Sequence, residues 1–267
     1  MNIFVLLKQV PATSNVKMDE ETGTMIRTEH ENVINPLDEN ALEEALRLKR
    51  AAQRVKVTAL SMGPPPAIKA LRGALAMGAD SAVLLSDKGF SGSDTLATAR
   101  ALARALEKLT GGCLGSDNLV LCGERATDGE TGQVGPMVAS LLDVPVVTYA
   151  RKVDLEGASL VVERFAEEGT ERIEVTLPAV LAVVKDINQP GFPTLAGKLE
   201  AKKVQIPVLS PSDLGLSGDE IGFAGSPTRV VRVFRPKIAR NTLLYHQDGT
   251  GAAVDSLLTF LASREVI

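Results

Sequence analysis

The stretch Leu119-Val120-Leu121-Cys122-Gly123-Glu124-Arg125-Ala126-Thr127-Asp128-Gly129-Glu130-Thr131-Gly132-Gln133-Val134-Gly135-Pro136 decides how this chain is read. Leu119 to Cys122 is a short apolar run, the pattern of a strand buried on both faces, and it stops at Gly123. A polar loop with glycines at 129, 132 and 135 follows, and Pro136 opens an apolar helix through Leu142. Strand, glycine-rich loop and helix N-terminus form a site for an anion, because free backbone N–H groups and the helix dipole point at one place. Phosphate fits such a site, so the stretch points to a nucleotide. Spacing alone leaves an ordinary strand-to-helix turn as the alternative, since neither Gly-Lys-Ser/Thr nor GxGxxG is present.

The same rhythm runs upstream. Ile3 to Leu7 reads as a buried strand, and residues 16–28 as a polar hairpin turning at Glu21-Thr22-Gly23. Asn35 is placed as the N-cap of a helix running to about Gln53, with Pro36 in its first turn and Ala41, Leu42, Ala45 and Leu46 on its inner face. Val55–Ser61 is a strand, and a helix through Met77 ends at Gly78. Ala82–Leu85 is a further strand, Asp94–Leu109 a helix, and Val144–Tyr149 the strand after the opening stretch. This alternation predicts an α/β fold with a doubly wound, mostly parallel, Rossmann-like sheet, whose ligands bind at the carboxyl ends of the strands. Three more chain segments then fall at that edge: Leu6-Leu7-Lys8, Asn35-Pro36-Leu37-Asp38 and Ser61-Met62-Gly63.

Beyond Ala150 the pattern changes. Leu160–Arg164 and Arg172–Leu177 read as antiparallel strands around Glu167-Glu168-Gly169, and Pro178–Val184 as a buried strand. A Pro/Gly-containing loop over 186–198 and a basic stretch over 198–203 follow. Arg229–Phe234 reads as an isolated strand and Thr250–Ser263 as an amphipathic helix with Val254, Leu257, Leu258 and Leu261 on one face. An isolated strand and helix beyond a finished sheet suggest an arm for another subunit. The expected organisation is a nucleotide-binding domain over 1–225 and an arm over 226–267.

Composition narrows the function. The chain has 267 residues, 45% of them hydrophobic, enough for a substantial core. A net charge of −4 argues against nucleic-acid binding, and no apolar run reaches the roughly 20 residues that span a bilayer. The N-terminus reads as a first strand and not a signal peptide, which makes the cytoplasm the expected compartment. Cys113 and Cys122 form neither a disulfide framework nor a metal pattern, and His30 and His246 lie far apart in polar surroundings. There is no Gly-x-Ser-x-Gly elbow and no activated nucleophile, so chemistry at this cleft belongs to a bound cofactor and no side chain is assigned as catalytic.

At this point the chain resembles the β-subunit of electron-transfer flavoproteins. The resemblance is carried by several segments in order: Val5-Leu6-Leu7-Lys8-Gln9-Val10-Pro11, Ile34-Asn35-Pro36-Leu37-Asp38-Glu39, Ser61-Met62-Gly63-Pro64, Ala74 to Asp80, Gly123 to Pro145, Leu177-Pro178-Ala179-Val180, and Thr194-Leu195 before the basic stretch. It implies a heterodimer with an α-subunit that carries an electron-transferring FAD. It also implies a nucleotide cleft of the β-subunit's own, comprising Leu6, Asn35, Pro36, Leu37, Asp38, Met62, Gly123, Ala126, Thr127, Asp128, Gly129, Thr131, Gly132, Gln133, Val134 and Gly135. Backbone N–H groups of 129–135 would cradle phosphates there, with a hydroxyl from Thr131 and an amide from Gln133.

Members holding structural AMP have a bulkier loop, with a run of Asp followed by Cys-Asn-Gln-Thr-Gly. The glycines here are similar to those of members that bind a second, bifurcating FAD and accept hydride from NADH; AMP stays open as the alternative. Glu124-Arg125 departs from the family, which often has a Gln before the Ala. The loop 186–198 resembles the family's docking loop for partner dehydrogenases, acyl-CoA dehydrogenases among them, with Leu195 as its apolar anchor. The reading from another class is an adenine-nucleotide-binding enzyme or sensor, and the absence of a Ser-Gly-Gly-x-Asp-Ser pyrophosphate loop weighs against it.

Overall fold

A computed structural model describes residues 1–12, 32–156, 159–231 and 250–267. The chain divides into two compact units, Met1–Val230 and Val231–Ile267. The expected hairpin over 16–28, both histidines and residues 232–234 of the expected strand over 229–234 lie outside the described residues, and 229–231 form no strand.

The first unit is built on one nine-stranded sheet. Its first strand, β1 (Asn2–Leu7), is central, because Ile3–Leu7 are buried on both faces. A short antiparallel pair, β2 (Gln9–Pro11) and β3 (Asn32–Ile34), precedes helix α1 (Pro36–Ala51). Then come β4 (Lys56–Met62), α2 (Ile68–Met77), β5 (Ser81–Leu85), α3 (Thr95–Thr110), β6 (Asn118–Gly123) and α4 (Val134–Leu141). The chain continues through β7 (Val146–Glu156), β8 (Ser159–Ala166), β9 (Gly169–Thr176), β10 (Ala179–Val183), α5 (Leu195–Lys203) and β11 (Val208–Leu209). Strand order is β11-β5-β4-β1-β6-β10-β7-β8-β9, parallel from β11 through β7 and antiparallel from β7 to β9.

Successive side chains of β1 point to opposite faces, so Ile3, Val5 and Leu7 join one core and Phe4 and Leu6 the other. The first core takes Ala41, Leu42 and Ala45 of α1 with Ala70, Leu71 and Ala74 of α2; the second takes Ala99, Leu102 and Leu106 of α3 with Val138 and Ala139 of α4. The sheet is therefore doubly wound, as the sequence predicts. From β1 the chain moves through α1 to β4 on one side, while β6 leads through α4 to β7 on the other. The ends of β1 and β6 thus flank the point where the strand order reverses, where a crevice opens in such sheets.

Several boundaries differ from the sequence reading for identifiable reasons. Strand β7 runs seven residues past Tyr149, because a bulge with Tyr149 at φ 56° redirects it from its parallel partner β10 to its antiparallel partner β8. Helix α4 begins two residues before Pro136, since proline lacks only an N–H that a first turn does not use. The basic stretch is the last six residues of helix α5, obscured by Gly197 in its first turn. Thr194 caps it by accepting the Gly197 N–H at 3.0 Å. In the second unit, helix α6 (Thr250–Ser263) has the expected bounds, with Val254, Leu257, Leu258 and Phe260 exposed. Among the described residues no helix is long and apolar enough to cross a membrane.

Candidate nucleotide cleft

The crevice is assembled around Asp38, in the first turn of α1. One carboxylate oxygen accepts the Lys8 N–H at 2.7 Å, just past the end of β1, and the other accepts the Gly123 N–H at 3.0 Å, at the end of β6. A single buried side chain thus ties two strand ends to a helix N-terminus. Burial pushes its pKa up to about 7, against the opposing pull of the Lys8 and Gly123 N–H groups, Asn35 and the Lys8 charge. The fit is close. A Cβ at Gly123 would lie 2.6 Å from Leu37 Cβ and 2.7 Å from Asp38 Oδ1, so only glycine lets β6 end against α1.

Asn35 occupies the N-cap position, yet its side chain does not cap α1. Instead its Nδ2 donates to the Arg125 carbonyl at 2.9 Å, and its Oδ1 accepts the Thr127 N–H at 3.1 Å. The amide is buried and bridges α1 to the glycine loop, which explains why a residue with both a donor and an acceptor stands there. Across the mouth, Lys8 Nζ pairs with Asp128 Oδ1 at 2.6 Å. Sequence reasoning placed the Lys8 strand end at this edge but passed over the side chain; its position directly after the apolar run of β1 was the available signal. Thr95, at the start of α3, was also missed: its hydroxyl meets Gln133 Oε1 at 3.2 Å.

Within the loop the donors sort into two groups. The N–H groups of Gly129 and Glu130 turn back on the Ala126 carbonyl, and that of Thr127 is taken by Asn35. The expected cradle from 129 to 135 is therefore shorter: within it the N–H groups of Thr131 to Gly135 have no hydrogen-bond partner among the described residues. They lead into the N-terminus of α4, where aligned peptide dipoles favour an anion. Thr131 and Gln133 are exposed and Val134 half-buried beside them. Leu6 is buried in the core beneath the edge, while Pro36 is exposed and Met62 half-buried at it.

The glycines have three different reasons. Gly132 sits at φ 64°, a conformation that disfavours side chains, and a Cβ at Gly135 would come 2.8 Å from Cys122 Sγ, so its smallness serves the packing of α4 on β6. A Cβ at Gly129 would meet no atom within 4 Å, so nothing in the chain itself requires glycine there. Cys122 is no nucleophile: burial, with the Asp38 charge second, pushes its thiol far up, and it stays protonated. Among the described residues no cluster of His, Cys, Asp or Glu is placed to hold a metal ion.

A switch-point crevice with free N–H groups at a helix N-terminus suits a dinucleotide or mononucleotide phosphate. Residues 22–214 match the electron transfer flavoprotein domain. The chain belongs to the electron transfer flavoprotein β-subunit family. It is 46% identical to the electron transfer flavoprotein subunit beta of Thermoanaerobacterium thermosaccharolyticum over the full length of both chains. Identity to the Megasphaera elsdenii subunit beta is 44%, again over both full lengths. The caffeyl-CoA reductase-Etf complex subunit CarD of Acetobacterium woodii is 40% identical, with both chains fully covered. Electron transfer flavoprotein β-subunits pair with an α-subunit.

The segment 186–198 carries exposed apolar side chains. Leu195 is the first residue of α5 and 75% exposed, and Phe192, which the sequence reading did not single out, is 96% exposed. Leu195 therefore does not fold back onto its own domain.

Proposed function

We propose that this β-subunit holds FAD in its own cleft, accepts hydride from NADH there, and passes electrons through the FAD of its α-subunit to a dehydrogenase or quinone-linked partner. The observation that carries the choice of FAD is Gly129. Its missing side chain answers no steric need within the chain, and the open space beside it supports a ligand longer than AMP. The donor set fits a pyrophosphate, with free N–H groups from Thr131 to Gly135 and the Lys8 ammonium at the mouth.

FAD, when bound, supplies the two-electron acceptor and one-electron donor chemistry that no side chain here provides. The chain's own residues do the rest. Asp38 fixes the spacing of the β1 and β6 ends, Asn35 holds the glycine loop against α1, and the Lys8–Asp128 pair neutralises a carboxylate that would repel phosphate. Met62 offers apolar surface at the edge, over the buried Leu6 and Leu37, excluding water from a base or ribose.

Three further assignments complete the reading. The arm from about residue 226 packs on the α-subunit through the exposed apolar side of α6. The segment 186–198 docks a partner such as an acyl-CoA dehydrogenase, with Leu195 as anchor; the name of the Acetobacterium relative, which places that protein in a complex with a CoA-ester reductase, supports this. The complex works in the cytoplasm. The test is anaerobic titration of the purified αβ pair with NADH. Bleaching of flavin absorbance by stoichiometric NADH supports the reading, and a complex whose flavin NADH leaves oxidised overturns it.

A further inference from the structure

Segment 188–194 is an arch between two fixed feet. At the far foot α5 lies against α2 so closely that a Cβ on Gly197 would fall 2.2 Å from the Ala76 carbonyl oxygen, and the Arg72 guanidinium donates to the Ala201 and Val204 carbonyls. The near foot stands on α1. Asn40 Nδ2 donates to both the carbonyl and the side-chain oxygen of Asn188, at 2.9 and 3.0 Å. Asn188 Nδ2 returns the contact to the Asn40 carbonyl at 3.0 Å and to Glu44 Oε2 at 3.3 Å. Further along, the Gly191 N–H reaches Glu43 Oε2 at 3.2 Å.

This clasp is specific in chemistry. Asn40 and Glu44 are almost fully buried, and asparagine in a helix interior costs helix propensity, so its presence in the second turn of α1 calls for a tertiary reason. Both asparagines donate and accept at once. An apolar residue at 188 would leave the Asn40 amide the backbone carbonyl of 188 alone and take the donor from Glu44, and a carboxylate there would face Glu44 with no donor to offer. Glu44 is held in turn by Arg47, which also donates to the Val153 carbonyl. The helix that carries the clasp is the one whose first turn frames the nucleotide cleft through Asn35 and Asp38.

We propose that Asn188 is a positioning residue for electron delivery: clasped to Asn40 and Glu44, it sets the angle at which Phe192 and Leu195 are presented to the partner. The inference rests on the reading of 186–198 as the docking segment. Asn188 itself touches neither cofactor nor partner; it acts through the backbone of the arch.

The test uses the αβ complex and an acyl-CoA dehydrogenase from the same source, with electron transfer measured against dehydrogenase concentration. Asn188→Ala is expected to raise KM for the dehydrogenase about tenfold with kcat within about twofold. Bound nucleotide and αβ elution should stay unchanged, and tryptic cleavage at Lys185 and Lys198 should accelerate. Asn188→Asp is expected to do worse than Asn188→Ala. Leu195→Ala separates the two claims. If it leaves KM unchanged, the docking reading itself fails. If it raises KM while Asn188→Ala does not, the clasp inference alone is overturned. Glu43→Ala, which removes the outer Gly191 contact together with the Arg50 ion pair at the surface of α1, carries the test where Asn188→Ala does not fold. A KM raised about two- to threefold supports the clasp, and an unchanged KM overturns it.

Discussion

Asp38→Asn probes the joint on which the cleft is built. Burial raises the folded-state pKa of Asp38 from 3.8 to about 7, so the folded protein binds a proton between those values that the unfolded chain has already released. The stability this contributes is complete below the unfolded pKa and is lost as pH rises through about 7. At pH 6.0, one unit below the folded pKa, ~1.4 kcal/mol remains; at pH 8.5 almost none does. Wild-type stability is therefore expected to fall by about 1.4 kcal/mol from pH 6.0 to 8.5 relative to Asp38→Asn, which has no proton to lose. The variant carries a cost of its own. Its NH2 group faces one of the two backbone N–H donors of Lys8 and Gly123, about 1–3 kcal/mol for an unmet buried donor. Because the chain has no tryptophan, urea unfolding of the full chain is followed by far-ultraviolet circular dichroism at both pH values. Groups elsewhere in the protein titrate in both proteins and cancel in the difference. Parallel pH profiles would refute the reasoning: the two N–H donors, and not burial, would then set the charge of Asp38.

Other expectations test neighbouring parts of the site. Gly123→Ala places a methyl group 2.6 Å from Leu37 Cβ and is expected to cost about 1–3 kcal/mol, read as a lowered urea midpoint, with loss of nucleotide from the αβ complex. Gly132→Ala, at φ 64°, is expected to lose about 1 kcal/mol, whereas Gly129→Ala leaves the stability of the free chain unchanged and weakens nucleotide retention. Should Gly129→Ala retain nucleotide as the wild type does, the space beside it is not ligand space. Asn35→Ala removes the bridge to Arg125 and Thr127, so amide hydrogen exchange at 126–132 should accelerate while α1 stays protected.

The layout of the fold was legible where pattern and physics coincide. Ile3–Leu7 and Leu119–Cys122 are continuous apolar runs because strands at the centre of a doubly wound sheet are buried on both faces. Thr250–Ser263 was legible because one helical face is apolar and the other polar. Elements whose identity depends on a distant partner were harder. The extension of β7 past Tyr149 exists because β8 is there to receive it, and residues 151–156, four of them charged, form no continuous apolar run. Helix α5 is weakly amphipathic and holds its place through Gly197 and Arg72 on α2, contacts that no local pattern announces.

The cleft divides in the same way. Convergence of Asn35, Asp38 and the glycine loop at one edge follows from the strand–helix alternation, since all lie at carboxyl ends of parallel strands. What each side chain does there does not. Asn35 has the residue type and position of a helix cap, yet its amide spans to Arg125 and Thr127, because the loop returns to within reach only in the folded sheet. Gly129, Gly132 and Gly135 look alike in sequence, and only the atoms around each separate packing, backbone conformation and open space.

The nucleotide content of the αβ complex tests the central claim most directly. The pair is co-purified, denatured and its released nucleotides quantified by chromatography against protein concentration. Two FAD per heterodimer and no AMP is the result this account predicts. One FAD with one AMP would contradict it, and would make the cleft at 123–135 a structural socket and not a working flavin site.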